Sequence, residues 1–300
     1  MSGAEAAVRV QEVTVNYGRR VAVDDVSFTV PRGSVYALLG RNGAGKSSLI
    51  RCLVGQQRAD RGQVRLLDLD SWTDRTKVMD RVGVVPEDAD APPGMTVRQI
   101  GDFCNRVYSR WDRATAAKRL ERFSIDGGSR FGTLSKGQKK QVLLAFALAM
   151  SPEVLVLDDP TLGLDVVARK SLFDEVIAEL ADRGTSLLIT THDLAGIEAL
   201  ADRVGIMRDG KLVVDEEMET LKSRYRRIRV AGGQVALAAG NLAVANVRQW
   251  GSGSEAVVSN YDEVAFERFR ASADTGHTDA SPMSLEEVFI EIAGEEGAKS

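Results

Sequence analysis

The sequence predicts an α/β fold with a parallel sheet at its centre, and three observations lead to this class. Short apolar runs typical of buried strands alternate with helical patterns along most of the chain. Residues from about 95 to 150 have apolar positions at three- and four-residue spacing, which predicts a helical insertion. Beyond residue 222 the chain becomes loop-rich. We therefore expect a main domain over residues 1–222 and a small α+β accessory domain over residues 223–300.

Composition narrows the class of protein before any motif is considered. The net charge of -4 argues against a protein whose main partner is nucleic acid, because such proteins usually carry a basic excess. Two cysteines, Cys52 and Cys104, provide neither a disulfide framework nor a cluster of metal ligands. The sequence starts without a secretory signal pattern, and no apolar stretch reaches the roughly 18 residues that span a bilayer. We expect that any membrane-spanning part belongs to another chain.

The N-terminal elements are predicted from alternating and then continuous apolar patterns. The segments AVRVQEVTVNYG and VAVDDVSFTVPRG alternate, which predicts an antiparallel β-subdomain. GSVYALLG is a buried strand that leads into a glycine-rich turn and a helix. GQVRLLDLD and RVGVVPED add two more strands, the second of which stops at Pro86.

Helices, strands and a final small domain follow in the rest of the sequence. Three helices are expected in the insertion, in TVRQIGDFCNRVYSRWD, ATAAKRLERFSI and KGQKKQVLLAFALAM. VLVLDD and SLLITTH are strands separated by a helix, and RVGIMRDGKLVVDEE is a hairpin with Asp209 and Gly210 at its turn. In the accessory domain IRVAG, VANVRQW and EAVVSN are predicted strands, while YDEVAFERFRA and SLEEVFIEIAG are predicted helices.

The turn GRNGAGKSS fits the pattern G-x-x-x-x-G-K-[ST] and has a strand before it and a helix after it. Glycines let the backbone wrap a phosphate chain, and the following helix presents its positive end to the same phosphates. A glycine-rich turn that binds nothing is the alternative, but the Lys–Ser pair and the strand–turn–helix context argue against it. The pattern predicts a P-loop NTPase core whose nucleotide contacts are Gly40, Asn42, Gly43, Ala44, Gly45, Lys46, Ser47 and Ser48.

Two adjacent carboxylates end the buried strand VLVLDD, which calls for a cation or a proton as partner. In P-loop sites a carboxylate at a strand end helps to hold Mg²⁺ together with the serine of the loop. Asp158 and Ser47 suit that role. Phosphoryl transfer also needs a group that positions the attacking water, and Asp159 is the candidate.

Leu134 to Gln138, LSKGQ, resembles the LSGGQ signature of ABC-family ATPases, and it precedes the strand that ends in Asp158, as in that family. The resemblance covers roughly residues 8–221. It implies that an aromatic side chain stacks on adenine, that Q-loop and D-loop residues follow in order, and that a switch histidine contacts the γ-phosphate. The matching positions are Tyr17, Glu87, Asp165 and His192, with signature contacts from Ser135, Gly137 and Gln138.

The resemblance further implies that two such domains meet head to tail with ATP and Mg²⁺ between them. Ser135 and the backbone around Gly137 would close on the γ-phosphate bound by the other subunit. The phrases YSRWD and SLEEVFIEIAG resemble the bacterial type-2 efflux branch. We therefore expect a separate transmembrane permease as partner, a homodimer or a heterodimer with another ABC ATPase, no nucleic acid, and a location at the cytoplasmic face of the cell membrane.

Three positions depart from the family pattern. Asp159 stands where glutamate is usual, and its carboxylate falls about 1.5 Å short if the backbone is unchanged, which predicts slow hydrolysis. Glu87 stands where glutamine is usual, and we expect it to approach Mg²⁺ or the attacking water. Lys136 replaces the first signature glycine, and its side chain either points away from the nucleotide or adds a cation near the γ-phosphate.

Two alternative functions stay open from the sequence. One is a soluble ABC ATPase that acts on nucleic acid or ribosomes, although such proteins usually have long coiled coils or two ATPase domains in one chain. The other is a regulatory subunit that binds ATP and scarcely hydrolyses it, which Asp159 suggests. Co-purification would separate the first from a transporter subunit, and phosphate release in the presence of the partner would test the second.

Overall fold

A computed structural model describes residues 5–231, 242–251, 253–272 and 278–294. The elements of its larger part follow one another from the N-terminus. They are β1 (Ala6–Tyr17), β2 (Arg20–Pro31), β3 (Val35–Gly40), α1 (Lys46–Leu53), β4 (Arg61–Leu66), β5 (Leu69–Asp70), α2 (Arg75–Met79), β6 (Val82–Val85), α3 (Val97–Val107), α4 (Arg113–Arg122), α5 (Lys136–Ala149), β7 (Val154–Asp158), α6 (Val166–Arg183), β8 (Ser186–Thr190), α7 (Leu194–Glu198), β9 (Arg203–Arg208), β10 (Lys211–Glu217) and α8 (Met218–Arg224).

The N-terminal strands form an antiparallel sheet in the order β2-β1-β4-β5. Alternate residues of β1 are buried because one face of the sheet packs on the core while the other faces solvent. The segment GQVRLLDLD, predicted as one strand, is instead a hairpin of β4 and β5 that turns at Leu67 and Asp68, both of which have positive φ. The five-residue helix α2 was not predicted, since it is too short to show a periodic pattern. The antiparallel subdomain itself confirms the prediction from the sequence.

The central sheet has the order β10-β9-β3-β8-β7-β6, with neighbouring strands parallel except for β10. The strands β3, β7 and β8 are buried along their whole length, which explains their continuous apolar sequences. The carboxyl ends of parallel strands lie at one edge of a sheet. This edge therefore brings together the ends of β3, β7 and β8, at Gly40, Asp158 and Thr190.

The helical insertion consists of α3, α4 and α5, as predicted. Ser135 caps α5: its hydroxyl accepts a hydrogen bond from the backbone N–H of Gln138, whose side chain accepts one from the N–H of Ser135. Most of α5 is buried against the central sheet. Trp111 packs edge-on against Phe146 with ring centroids 5.3 Å apart, so it is a packing residue of this region. In the part of the chain that the structure describes, no helix is both long and apolar enough to cross a membrane.

The C-terminal elements form a third, antiparallel sheet with the order β12-β13-β11-β14. They are β11 (Arg226–Val230), β12 (Val244–Trp250), β13 (Gly253–Val258), α9 (Glu263–Ser272), β14 (Thr278–Pro282) and α10 (Leu285–Ala293). Three strands and two helices agree with the prediction, but β14 was predicted as loop. Its sequence TDASP is polar and ends in proline, and it becomes a strand because it pairs with β11 along one edge.

Candidate functional site

The turn between β3 and α1 has a backbone that requires glycine. Gly45 has φ +107°, and a Cβ at this position would lie 2.3 Å from the carbonyl oxygen of Ala22. Gly43 also has a positive φ, +83°. The turn therefore approaches the end of the N-terminal sheet more closely than any side chain permits, and it leads directly into the N-terminus of α1.

Lys46, the first residue of α1, is 8% exposed and folds back over the turn. Its ammonium donates hydrogen bonds to the carbonyl oxygens of Gly40 at 2.6 Å and Arg41 at 3.3 Å. Burial lowers the pKa of Lys46, while the charges of nearby Asp159, Asp158 and Glu87 act in the opposite direction. The result is a cation held at the edge of the sheet among carboxylates.

The two adjacent acids are fixed by a threonine on the neighbouring strand. Asp158 of β7 pairs in parallel register with Thr190 of β8. The Thr190 hydroxyl donates to Asp158 Oδ1 at 2.6 Å and accepts from the backbone N–H of Asp159 at 3.0 Å. The same N–H also donates to the Thr190 carbonyl at 3.0 Å. One residue of β8 thus orients both acids.

Asp159 lies beyond the strand end, in a left-handed backbone conformation with φ +44°. Its Oδ2 lies 3.0 Å from Nε2 of His192. The other carboxylate oxygen, Oδ1, is buried and has no hydrogen-bond partner among the residues described. Buried acceptors are normally satisfied, so this oxygen is available to a ligand or a water.

Glu87, His192 and Tyr17 are exposed and line the same cleft as the acidic pair and the P-loop. Tyr17 is 45% exposed, and its hydroxyl donates to Oε1 of Gln57 at 2.6 Å. A hydrogen bond with the Ser48 side chain is the main cause that lowers the pKa of Tyr17. Its position leaves aromatic surface available to a planar ligand.

A cleft of about 340 Å³ joins these groups. Most of the residues predicted from the sequence to bind nucleotide, metal or water line it. They are Tyr17, Asn42, Gly43, Gly45, Lys46, Ser47, Ser48, Glu87, Asp158, Asp159 and His192. Gly40 takes part through its carbonyl, which Lys46 binds, while Ala44 is buried behind the loop.

The other predicted residues lie outside this cleft, in a second cavity of about 710 Å³. Ser135, Gly137, Gln138 and Asp165 line it together. Asp165 caps α6 by accepting a hydrogen bond from the N–H of Ala168 at 2.8 Å. Within a single chain the signature residues therefore do not meet the P-loop cleft.

Sequence reasoning missed three residues that contribute to the cleft. Arg20 and Thr190 line it, and Lys140 of α5 is 3% exposed with its ammonium donating to the backbone carbonyl of Asp159. Thr190 had a usable signal, because it ends the strand that runs parallel to the one ending in Asp158. Burial lowers the pKa of Lys140, against the charges of Asp159, Glu87, Asp158 and Asp88. Nothing in KGQKKQ distinguishes it from the exposed Lys136 or the half-buried Lys139.

The donor set suits Mg²⁺ and a triphosphate. Mg²⁺ prefers oxygen ligands and usually binds through one or two carboxylates plus substrate phosphates. Ser47, Asp158 and Glu87 offer oxygens of that kind around one cleft, which Asp159 also lines. The P-loop backbone and Lys46 supply the positive side that a phosphate chain needs.

Comparisons with known proteins show the family of this chain. A family model described as ABC transporter matches residues 23–162. The ABC transporter ATP-binding protein YtrB of Bacillus subtilis is 32% identical over 267 residues, which cover 89% of this chain and 91% of that protein. Nod factor export ATP-binding protein I of Bradyrhizobium diazoefficiens is 34% identical over 243 residues, covering 78% of this chain and 79% of that protein.

A solved structure extends the comparison to the fold. The structure of cbiO1 from Clostridium perfringens, described as part of the ABC transporter complex cbiONQ, matches with a TM-score of 0.62 and 27% identity. The match covers 72% of this chain and 90% of that one. The α/β architecture predicted from the sequence is thereby confirmed.

Proposed function

This chain belongs to the ABC transporter family of ATP-binding proteins, and from that premise we propose that it powers efflux through a separate transmembrane subunit. The family binds nucleotide and hydrolyses ATP. The observation that carries the proposal is the division of the predicted site residues between two cavities of one chain, one with the P-loop and one with the signature. Such a chain needs a second ATP-binding subunit to complete each site.

The P-loop side binds the triphosphate through its backbone and Lys46. Lys46 already donates to two carbonyls of the loop, which holds its charge beside the position of the β- and γ-phosphates. Ser47 and Asp158, together with Glu87, would hold Mg²⁺, and the bound ion would neutralise charge on the phosphates. Tyr17 stacks on the adenine at the other end of the cleft.

Asp159 and His192 act on the hydrolytic step. The Asp159 carboxylate positions the attacking water, and His192, 3.0 Å away, orients that carboxylate and faces the γ-phosphate. Aspartate is one methylene shorter than the family's glutamate, so we propose that basal hydrolysis is slow. The second candidate function is that of a regulatory subunit that binds ATP and scarcely hydrolyses it. This candidate rests on the same substitution.

Closure of two subunits around ATP is the step that couples hydrolysis to transport. Ser135 and the N-terminus of α5 approach the γ-phosphate bound by the other subunit, where the exposed N–H groups of a helix start favour an anion. Loss of the γ-phosphate removes the shared ligand and weakens the pair. The exposed Leu162, Val166 and Val167 flank Asp165 and are suited to lie against the second subunit.

The proposed transport role is supported by the relatives and by the presence of the helical insertion. One relative is a Nod factor export ATP-binding protein, and cbiO1 is part of an ABC transporter complex. We propose that α3 to α5, together with the loop that carries Glu87, pass the motion to a permease, and that the chain works at the cytoplasmic face of the membrane.

The test combines ATPase activity with partner capture in the native host. The tagged chain, isolated from detergent-solubilised membranes, should retain a multi-span protein and hydrolyse ATP, whereas Lys46→Ala should retain that protein and lose hydrolysis. Recovery of nucleic acid or ribosomes in place of the membrane protein would support the soluble alternative. Phosphate release that stays at background with the permease present would support the regulatory alternative.

A further inference from the structure

A buried lysine contacts the acidic turn, and nothing in the mechanism above uses it. Lys140 is 3% exposed, and its ammonium donates to the backbone carbonyl of Asp159. We propose that Lys140 is a positioning residue for hydrolysis: it fixes the Asp159 turn so that the carboxylate points at the attacking water. This inference rests on the proposed ATPase mechanism, and it concerns Asp159 alone.

The Asp159 turn needs such support because its backbone is strained. A non-glycine residue with positive φ costs about 1 kcal/mol or more and persists only where its surroundings hold it. On one side the backbone N–H of Asp159 is bound by Thr190. On the other side the carbonyl accepts from the N–H of Leu162 at 3.2 Å and from Lys140. Lys140 supplies the side-chain contact to that carbonyl.

The electrostatic surroundings favour a cation at this position. The carboxylates of Asp159, Glu87, Asp158 and Asp88 all act on the charge of Lys140. A buried ammonium without such partners would be costly, whereas here it balances a cluster of negative charge next to the P-loop. Replacing Lys140 by an apolar residue therefore removes both a hydrogen bond and a compensating charge.

The location of Lys140 on α5 links the turn to the signature. Lys140 lies five residues after Ser135, the N-cap of α5, which is about 7.5 Å along the helix axis. The rest of α5 is packed into the core, with Leu144 and Leu148 fully buried. Helix α5 thus connects Ser135, which approaches the nucleotide bound by the other subunit, with Lys140, which holds the Asp159 turn beside the nucleotide bound by its own subunit.

The decisive experiment compares Lys140→Met with Lys139→Met in the full chain. Lys139 is the adjacent residue, and its ammonium lies 5.6 Å from the ring centre of Phe131. We expect Lys140→Met to lower kcat about 10- to 100-fold while the Kd for ATP stays within about twofold of the parent, because a misplacement of ~1 Å costs that much in rate. Lys139→Met should leave both unchanged.

Unchanged kcat in Lys140→Met, or an equal loss in ATP affinity, would overturn the proposal, since a merely structural role would damage binding and catalysis together.

If Lys140→Met does not fold, Lys140→Arg and Lys140→Gln carry the test. Arginine keeps a cationic donor and should keep kcat within about fivefold, while glutamine should lose about tenfold or more. Equal rates in those two variants would refute a charged donor. A parent protein without ATPase activity would instead reject the underlying mechanism.

Discussion

Asp159 Oδ2 lies 3.0 Å from Nε2 of His192, and the two side chains follow the ends of neighbouring parallel strands, β7 and β8. The contact occupies one carboxylate oxygen and leaves the other without a partner among the residues described. The acid is thereby oriented by its neighbour with one oxygen available for water. The length of the Asp159 side chain consequently determines how close the attacking water lies to the γ-phosphate.

Lengthening the acid tests this relationship. We expect Asp159→Glu to raise basal kcat by about 10- to 100-fold, because the added methylene carries the carboxylate further towards the γ-phosphate. The KM for ATP should stay within about twofold, since the P-loop contacts are untouched. Steady-state phosphate release measures both quantities. An unchanged or lower rate with intact ATP affinity would count against slow hydrolysis by a short acid.

A second prediction concerns the adenine end of the cleft. Tyr17→Ala should raise the Kd for ATP about 5- to 150-fold, because base–aromatic stacking contributes about 1–3 kcal/mol. Tyr17→Phe removes the hydroxyl that donates to Gln57 but keeps the ring, and we expect it to bind within about twofold of the parent. Titration with a fluorescent ATP analogue provides the measurement. Equal losses in the two variants would assign the effect to the hydroxyl instead of the ring.

A third prediction concerns the buried ion pairs between α4 and α6. Arg119 donates to Glu175 at 2.6 Å and to Glu179 at 2.7 Å, and the Glu179 side chain is 1% exposed. We expect Arg119→Met to destabilise the protein by about 3–5 kcal/mol, because it leaves the buried Glu179 without its closest cation and removes one of the two arginines that bind Glu175.

The matched control on the same helix is Arg122→Met, whose side chain is 51% exposed and pairs with Glu175 alone. Its cost should be much smaller than that of Arg119→Met, because an exposed ion pair contributes little to stability. Urea unfolding curves of both variants give the comparison, and similar costs would show that the network is no more than a surface pairing.

The fourth prediction is a pH dependence of stability at Glu153, which precedes β7. Its carboxylate binds Arg81 through two hydrogen bonds, at 2.8 and 2.7 Å, and Arg110 at 2.9 Å. Hydrogen bonding to Arg81 is the largest cause that lowers the pKa of Glu153 to about 2. A lowered pKa in the folded state stabilises the fold above the unfolded value of 4.5, and that contribution is lost as the pH falls towards 2.

We therefore expect Glu153→Gln to be about 1–2 kcal/mol less stable than the parent at pH 7, after allowance for partial exposure. The difference between the two proteins should shrink between pH 4.5 and pH 2. Urea unfolding across this range tests it. Glu5→Gln serves as the control, since that side chain is 66% exposed, and it should show no comparable loss. A gap that is constant with pH would exclude the ionised carboxylate as its source.

Much of the fold and of the site could be predicted because the decisive signals are local. The pattern around Gly45 and Lys46 specifies a strand, a turn and a helix within about ten residues, and the backbone conformation of Gly45 bears this out. Pairing across a sheet depends on a distant strand, so β14 was predicted as loop and the side-chain partners of Asp159 were not foreseen. Lys140 shows the same limit, because its burial depends on how α5 packs.

By itself the sequence determined the α/β class, the P-loop and the order of the family motifs along the chain, since periodicity and glycine spacing act over short segments. Only the tertiary structure decided which side chains contact one another at the site. Parallel strands end at one edge, which gathers Lys46, Asp158 and His192, whereas the insertion carries Ser135 to a separate cavity. The spacing of the motifs along the sequence does not predict this separation, because the separation arises from packing between segments that are far apart in the chain.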